Sequence, residues 1–256
     1  MRTYAAEPGQ GGPRSGLADR TRLGAPTAAG QSSVCYASVM IEAVLFDNDG
    51  VLVDTEGLYF EAGRVTLAEF GIELTLEAYQ EISLRQGRSV MDLGAERGFG
   101  AAKVATLRER RDHRYARSLE RGVRVIPGAR EAVARLRQDG KRLAIVTTCP
   151  GRYFDIQHRH TGLRAEFELV LVREDYPRSK PFADPYATAV RRLGLDASSC
   201  VAIEDTQRGI DAANAAGVRC FACASPMTRG TTFEGAVEVL ESVRDLSAAV
   251  KRLERG

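Results

Sequence analysis

A chain of 256 residues with 44% hydrophobic and 27% charged residues has the make-up of an ordinary soluble globular protein, large enough for one big domain or two modest ones. Its net charge of +2 implies no nucleic-acid partner, and no apolar run reaches the length of a membrane span. Five cysteines (Cys35, Cys149, Cys200, Cys220 and Cys223) are few and odd in number, which argues against a disulfide framework and for a reducing, cytoplasmic compartment.

Residues 1–39 hold six of the 25 glycines and three of the nine prolines and show no periodicity, so they read as a disordered tail. They contain no apolar segment for a secretory signal, and their glycine and proline oppose the amphipathic helix of a transit peptide. Met40 stands directly before the first strand, so 1–39 is either a dispensable tail or a mis-assigned start.

Ala43–Phe46 is an apolar run that reads as a buried parallel strand, and it stops at once in Asp47, Asp49 and Gly50. Two carboxylates there need a counter-charge, since an unpaired buried charge is costly. A hard divalent cation such as Mg²⁺ meets that need with oxygen ligands. The plainer alternative is a turn built from Asp-Asn-Asp-Gly.

From Leu58 to Phe70 the pattern becomes helical and ends at Gly71, and further helices are expected from Thr75 to Leu84, Val90 to Arg97 and Ala101 to Arg121. Such a block reads as a helical cap over residues 55–125, inserted into a core of 40–54 and 126–256. Strands are then expected at Leu143–Val146, Phe167–Val172, Cys200–Ile203 and Val218–Ala222. They alternate with helices after Gly128, Pro150, Asp184 and Asp205, and a last helix over Val239–Leu253. This alternation predicts an α/β fold: a Rossmann-like, doubly wound parallel sheet with an inserted all-helical cap.

In such a sheet Asp47/Asp49, Thr147, Lys180 and Glu204/Asp205 converge on one edge. Carboxylates for a metal, a hydroxyl and a lysine suit phosphoryl transfer, where catalysis is mostly positioning and charge neutralisation. Taken singly, Thr147 could be an ordinary strand end, Lys180-Pro181 a solvated turn, and Glu204-Asp205 a helix cap.

These motifs resemble the haloacid dehalogenase superfamily of aspartate-nucleophile phosphotransferases, in its β-phosphoglucomutase-like and CbbY-like phosphatase branch with a helical cap. Asp47-Asn-Asp-Gly-Val-Leu-Val-Asp-Thr-Glu56 is similar to the first motif, Ile145-Val-Thr-Thr148 to the second and Ser179-Lys-Pro181 to the third. Ile203-Glu-Asp-Thr-Gln-Arg-Gly-Ile-Asp-Ala-Ala213 is similar to the fourth. The resemblance covers Ile41 to about Leu240 and implies a Mg²⁺-dependent phosphatase acting on a small phosphorylated metabolite, a sugar or polyol phosphate. It implies Asp47 as nucleophile and Asp49 as general acid and base. Mg²⁺ would be held by Asp47, Asp49 (through its carbonyl) and Asp205, with Glu204 close by. Thr147 and Thr148 would contact the phosphoryl group, and Lys180 would neutralise it. The second motif departs from the family at Cys149-Pro150-Gly151, where small polar residues are frequent. The paired motif-one aspartates argue against dehalogenation. A phosphohexomutase and a catalytically silent ligand-binding regulator are the alternatives. The expected state is a monomer or weak homodimer without nucleic-acid or membrane partners.

Arg85 to Arg124 carries eleven Lys/Arg against five Asp/Glu. The run Arg108 to Arg121 reads as a solvated helix face. Arg88, with Arg85 as the alternative, is the substrate-binding candidate, at a helix–helix junction where similar family members carry a specificity loop. Cap opening is expected to pivot near Asp54-Thr55 and Arg124–Pro127. The C-x-x-C at Cys220 and Cys223 is read as structural; His158 and His160, on an expected surface helix, and His113, in the cap, are read as structural or solvated.

Overall fold

A strand of four buried apolar residues needs cover on both faces and neighbours on both edges. In the computed structural model, which describes residues 40–255, β1 (Ala43–Phe46) has both. The tail 1–39 expected above, with Cys35, lies outside the described residues.

After β1 the chain makes a tight turn into β2 (Val53–Asp54) and then runs through helices α1 (Glu56–Ala68), α2 (Leu76–Tyr79), α3 (Leu93–Glu96) and α4 (Ala101–Glu120). It returns through β3 (Arg124–Val125), which pairs antiparallel with β2. Beyond it come α5 (Ala129–Gln138), β4 (Arg142–Val146), α6 (Gly151–His158), β5 (Leu169–Leu171) and α7 (Asp184–Leu193). The chain closes with β6 (Cys200–Glu204), α8 (Gln207–Ala215), β7 (Arg219–Cys223), β8 (Val239–Leu240) and α9 (Leu246–Arg255).

The six-stranded sheet has the order β5-β4-β1-β6-β7-β8, and every pair is parallel. The chain works outward from β1 through β4 to β5, then crosses back to β6, so the direction of winding reverses beside β1. That reversal opens a crevice at the carboxyl ends of the strands. Register brings the polar strand ends together there: Phe46 lies opposite Ile145 on one side and Ile203 on the other. Asp47 and Glu204 thus stand at one level, with Thr147 one residue beyond them.

Side chains alternate across the sheet as strand geometry requires. Val44 and Phe46 pack with α5, α6 and α9; Ala43 and Leu45 pack with α7 and α8. Cys220 and Cys223 fall on opposite faces, in separate clusters, so they cannot act as a dithiol pair. The four cysteines among the described residues are unpaired. Between β2 and β3 the chain builds its own apolar cluster from Leu67, Ile72, Leu74, Tyr79, Val90, Met91 and Leu107. Each such fully buried side chain contributes about 1.5–3 kcal/mol of transfer free energy. No helix among the described residues is long and apolar enough to cross a membrane.

Three expectations need correction. The segment expected as a helix from Val239 begins as strand β8, which extends the sheet by pairing with Ala222 and Cys223. The helix expected through Leu84 is α-helical only to Tyr79 and continues as a wider π-helical turn over Gln80–Arg85. The helix expected from Val90 starts as a 3₁₀ turn, Val90–Asp92, capped by Ser89.

Candidate active site

Asp47 extends β1 by one residue, its backbone N–H bonded to the carbonyl of Ile203 at 3.0 Å. Its Oδ1 accepts from Lys180 Nζ at 2.5 Å. The same ammonium lies 2.6 Å from Glu204 Oε1 and donates to the Val146 carbonyl at 2.9 Å. Lys180 comes from the loop before α7, so its seat depends on packing rather than on regular structure. Glu204 is fully buried, and Tyr186 (2.6 Å) and Thr206 (3.3 Å) also donate to it. Thr206 in turn caps α8 by accepting from the N–H of Gly209. A Cβ at Gly209 would lie 2.0 Å from the Glu204 carboxylate, so only glycine lets the helix start this close to the strand end.

Asp205 follows, 1% exposed. Its Oδ2 has no hydrogen-bond partner among the described residues. A Cβ at Gly50, whose φ is +86°, would lie 2.0 Å from that oxygen. The turn thus leaves space beside an unsatisfied buried carboxylate. Asp47, Glu204 and Asp205 present oxygens within 4.8 Å of one another. Three carboxylates against one ammonium leave uncompensated negative charge, a donor set of hard oxygens that fits a small divalent cation. Burial pushes the Asp47 carboxyl up to about 8, Lys180 opposing the rise and Glu204 and Asp49 adding to it. Burial raises Asp205 well above the carboxylate range; Asp47, Glu56 and Glu204 add to the rise and the Ser225 hydroxyl opposes it. Burial works against the Lys180 ammonium, but Asp47 and Glu204 outweigh it and raise its pKa.

Asp49 follows two residues beyond Asp47, in the turn that leads to β2. Its Oδ1 accepts from the Thr55 hydroxyl and from Gln157 Nε2 (2.9 Å); its Oδ2 accepts from Asn48 Nδ2 (3.2 Å) and Thr147 Oγ1 (3.3 Å). Thr55 begins α1 but makes no helix cap, because its hydroxyl serves Asp49. Thr147 also accepts from the N–H of Cys149 at 3.0 Å, so its hydroxyl is engaged on both sides.

A cleft of about 540 Å³ opens over Asp49, between the sheet edge and the helical block. Thr148 and Arg88 are on its wall. Arg88 is half-exposed and pairs with Glu96 at 3.3 Å. Arg85 does not join it; it pairs with Glu81 and lines a separate cleft against α8. The run Arg108 to Arg121 is not uniformly a solvated face, because Arg108 and Arg111 line this cleft. Arg111 is 7% exposed and sits in the buried series Val104, Leu107, Arg111, Tyr115, Leu119, a 3.6-residue rhythm present in the sequence. Glu56, Tyr59 and Arg208 also line the cleft and carry no role in the sequence reading. Burial raises the Glu56 carboxyl to about 7; Asp49 adds to the rise, while the Tyr79 hydroxyl and Arg208 oppose it.

His158 is a correction: it faces inward, 7% exposed, between Asn48 and Thr161, because α6 packs this side onto the sheet. Burial lowers its pKa from 6.5 to about 4. The unfolded chain takes up a proton near 6.5 while the native imidazole stays neutral, so stability falls as pH drops from 6.5 towards 4. In urea unfolding, the stability of wild type relative to His158→Gln should fall by about 3 kcal/mol between pH 7 and pH 4. An unchanged difference would mean that the imidazole is not held neutral.

Comparison with known proteins bears on this arrangement. Residues 44–223 match the model of the haloacid dehalogenase-like hydrolases. The chain belongs to this family. Among the relatives of this hydrolase, protein CbbY of Rhodobacter capsulatus is 32% identical over 221 residues, 82% of this chain and 95% of that protein. Hexitol phosphatase B of Escherichia coli (strain K12) is 29% identical over 188 residues, 73% of this chain and 85% of that protein. The crystal structure of a CbbY mutant from Rhodobacter sphaeroides in complex with xylulose-(1,5)bisphosphate matches with a TM-score of 0.69 and 29% identity, over 81% of this chain and 96% of that one. The chain is thus a haloacid dehalogenase-like hydrolase whose relatives include phosphatases.

Proposed function

We propose that this hydrolase is a Mg²⁺-dependent phosphatase that cleaves a small phosphorylated carbohydrate through an aspartyl phosphate on Asp47. The observation that carries the reading is the Lys180 ammonium, 2.5 Å from Asp47 and 2.6 Å from Glu204 at the edge of the cleft. It orients a carboxylate and brings fixed positive charge to where a phosphoryl group would sit. The names of the relatives support a phosphorylated carbohydrate, as does a cleft that combines arginines with Glu56 and Tyr59.

In the first step an Asp47 carboxylate oxygen attacks phosphorus and the bond from phosphorus to the ester oxygen breaks. Protonated Asp49 gives its proton to the departing alkoxide. In the second, ionised Asp49 takes a proton from water, the water oxygen bonds to phosphorus, and inorganic phosphate leaves with Asp47 restored. Lys180 offsets the phosphoryl charge throughout. Thr148 and the backbone N–H groups at the start of α6 supply further anion donors. Mg²⁺, held by Asp47, Asp205 and the Asp49 carbonyl with Glu204 adjacent, would supply Lewis-acid neutralisation of the phosphoryl oxygens. The helical segment 55–125 acts as the cap that shields this chemistry from water. A cytoplasmic location, supported by the buried, unpaired cysteines among the described residues, and a monomeric or weakly dimeric state complete the reading.

Phosphate release from a panel of sugar and polyol phosphates tests this. Release from a few compounds is expected with Mg²⁺, loss on adding EDTA, and recovery when Mg²⁺ is restored in excess. Release indifferent to EDTA would remove the metal from the mechanism. No release from any ester would leave the silent binding protein as the better reading. The pairing of Arg88, the candidate for a second phosphate site, with Glu96 weighs against the mutase.

A further inference from the structure

Under Asp49 lies a run of buried polar side chains that the mechanism above does not use. Gln157 and His158 are adjacent on α6, 2% and 7% exposed, and Asn48 between the two aspartates is fully buried. Gln157 Nε2 donates to Asp49 Oδ1 at 2.9 Å and to the Tyr115 hydroxyl at 3.1 Å, while its Oε1 accepts from Asn48 Nδ2 at 2.7 Å. Asn48 Oδ1 lies 2.7 Å from His158 Nε2, and His158 Nδ1 lies 3.0 Å from Thr161 Oγ1.

The direction of these bonds follows from one end. A carboxylate accepts only, so Gln157 must turn its amide nitrogen to Asp49. Its oxygen then faces Asn48, which must donate with its own nitrogen and turn its oxygen to His158. The imidazole must carry its proton on Nε2, leaving Nδ1 to accept from Thr161. Read backwards, donation runs one way: Thr161 to His158 to Asn48 to Gln157 to Asp49. Reversing any amide would set two acceptors against each other, which buried groups tolerate poorly.

We infer that Gln157 is a positioning residue that holds the Asp49 carboxylate in the orientation needed for proton transfer, and that Asn48, His158 and Thr161 lock the Gln157 amide the right way round. The inference rests on the proposed acid–base role of Asp49. Thr55 and Thr147 bring rotatable hydroxyls to the same carboxylate and Asn48 Nδ2 a longer contact at 3.2 Å, whereas Gln157 donates at 2.9 Å and is anchored at both ends of its amide.

The test uses two esters: an alkyl phosphate of the preferred class, whose leaving group needs a proton, and p-nitrophenyl phosphate, whose leaving group departs without one. Gln157→Met, apolar and similar in length, should lower kcat on the alkyl ester about 100-fold with KM changed less than about twofold, the cost typical of a misplaced group. On p-nitrophenyl phosphate the first step should persist and the second should slow, so stopped flow should show a nitrophenolate burst of about one equivalent per site. His158→Leu, which never touches Asp49, should show the same ester selectivity at about tenfold. His158→Gln, which keeps a donor for Asn48, should recover most of it. If Gln157→Met melts far below wild type, the pair His158→Leu and His158→Gln, neither of which touches Asp49, is read instead. Equal loss on both esters without a burst would overturn the inference, as would His158→Leu and His158→Gln behaving alike. Asp49→Asn is the control. If it too lacks ester selectivity, the role of Asp49 has failed; if it alone shows it, only the positioning by Gln157 has failed.

Discussion

Asp47→Asn is expected to lower turnover of every phosphate ester by at least about 10⁴-fold while leaving the protein folded, because an amide cannot form the acyl phosphate and the shape of the side chain is kept. The structure adds a less obvious part. Asp47 is one of three clustered carboxylates, shares the Lys180 ammonium with Glu204, and is already pushed up to about 8 by burial. Removing its charge leaves the Lys180–Glu204 pair intact at 2.6 Å. Without metal, the variant should therefore melt no lower than wild type, and the rise in Tm on adding Mg²⁺ should shrink. Phosphate release and thermal melting, each with Mg²⁺ and with EDTA, check both halves. Residual turnover within 100-fold of wild type would rule out the covalent route. A sharp fall in metal-free Tm would mean that the carboxylate is a structural anchor.

Lys180→Met should fail differently. Loss of the buried cation strands Asp47 and Glu204 as neighbouring carboxylates without a counter-ion, and breaking a buried pair from one side costs about 3–5 kcal/mol. The variant should lose turnover by about 10³-fold or more and also unfold at clearly lower urea. Added Mg²⁺ should recover part of the stability, by relieving the repulsion, but not the turnover. A variant as stable as wild type would mean that the three-group contact does not carry the charge balance described above.

How much of this could be read from the sequence depended on whether a residue's partner lay in a repeating pattern. The edges of β1, β4 and β6 were legible because apolar runs break off abruptly in Asp47, Thr147 and Glu204, and the sheet register then brings those breaks to within one residue of each other. Arg111 was legible and misread: charge dominated the reading of α4, although its spacing from Leu107 and Tyr115 marks it as inward. The polar run under Asp49 was not legible. α6 spans only Gly151–His158, too short for its period to separate an inward Gln157 from an outward one. Asn48 meets Gln157 only through the packing of α6 on the sheet, at a sequence separation of 109. β8 was taken for helix because Val243, Leu246 and Val250 downstream keep helical spacing, and a strand of two residues has no period of its own.

The short ribbon of β2 and β3 has a bearing on how the chain reaches this structure. β1 finds its sheet neighbours only from Arg142 and Cys200 onward, pairings so distant in sequence that they close slowly. The ribbon pairs Val53 with Val125 and Asp54 with Arg124, so the whole helical segment enters and leaves at one point. Once that segment has gathered its own apolar cluster and zipped this gate, the chain between β1 and β4 behaves as a short connection, and the entropy of closing it falls accordingly. The helical segment is thus placed to act as an early-closing clasp, with the central strand pair expected to form behind it.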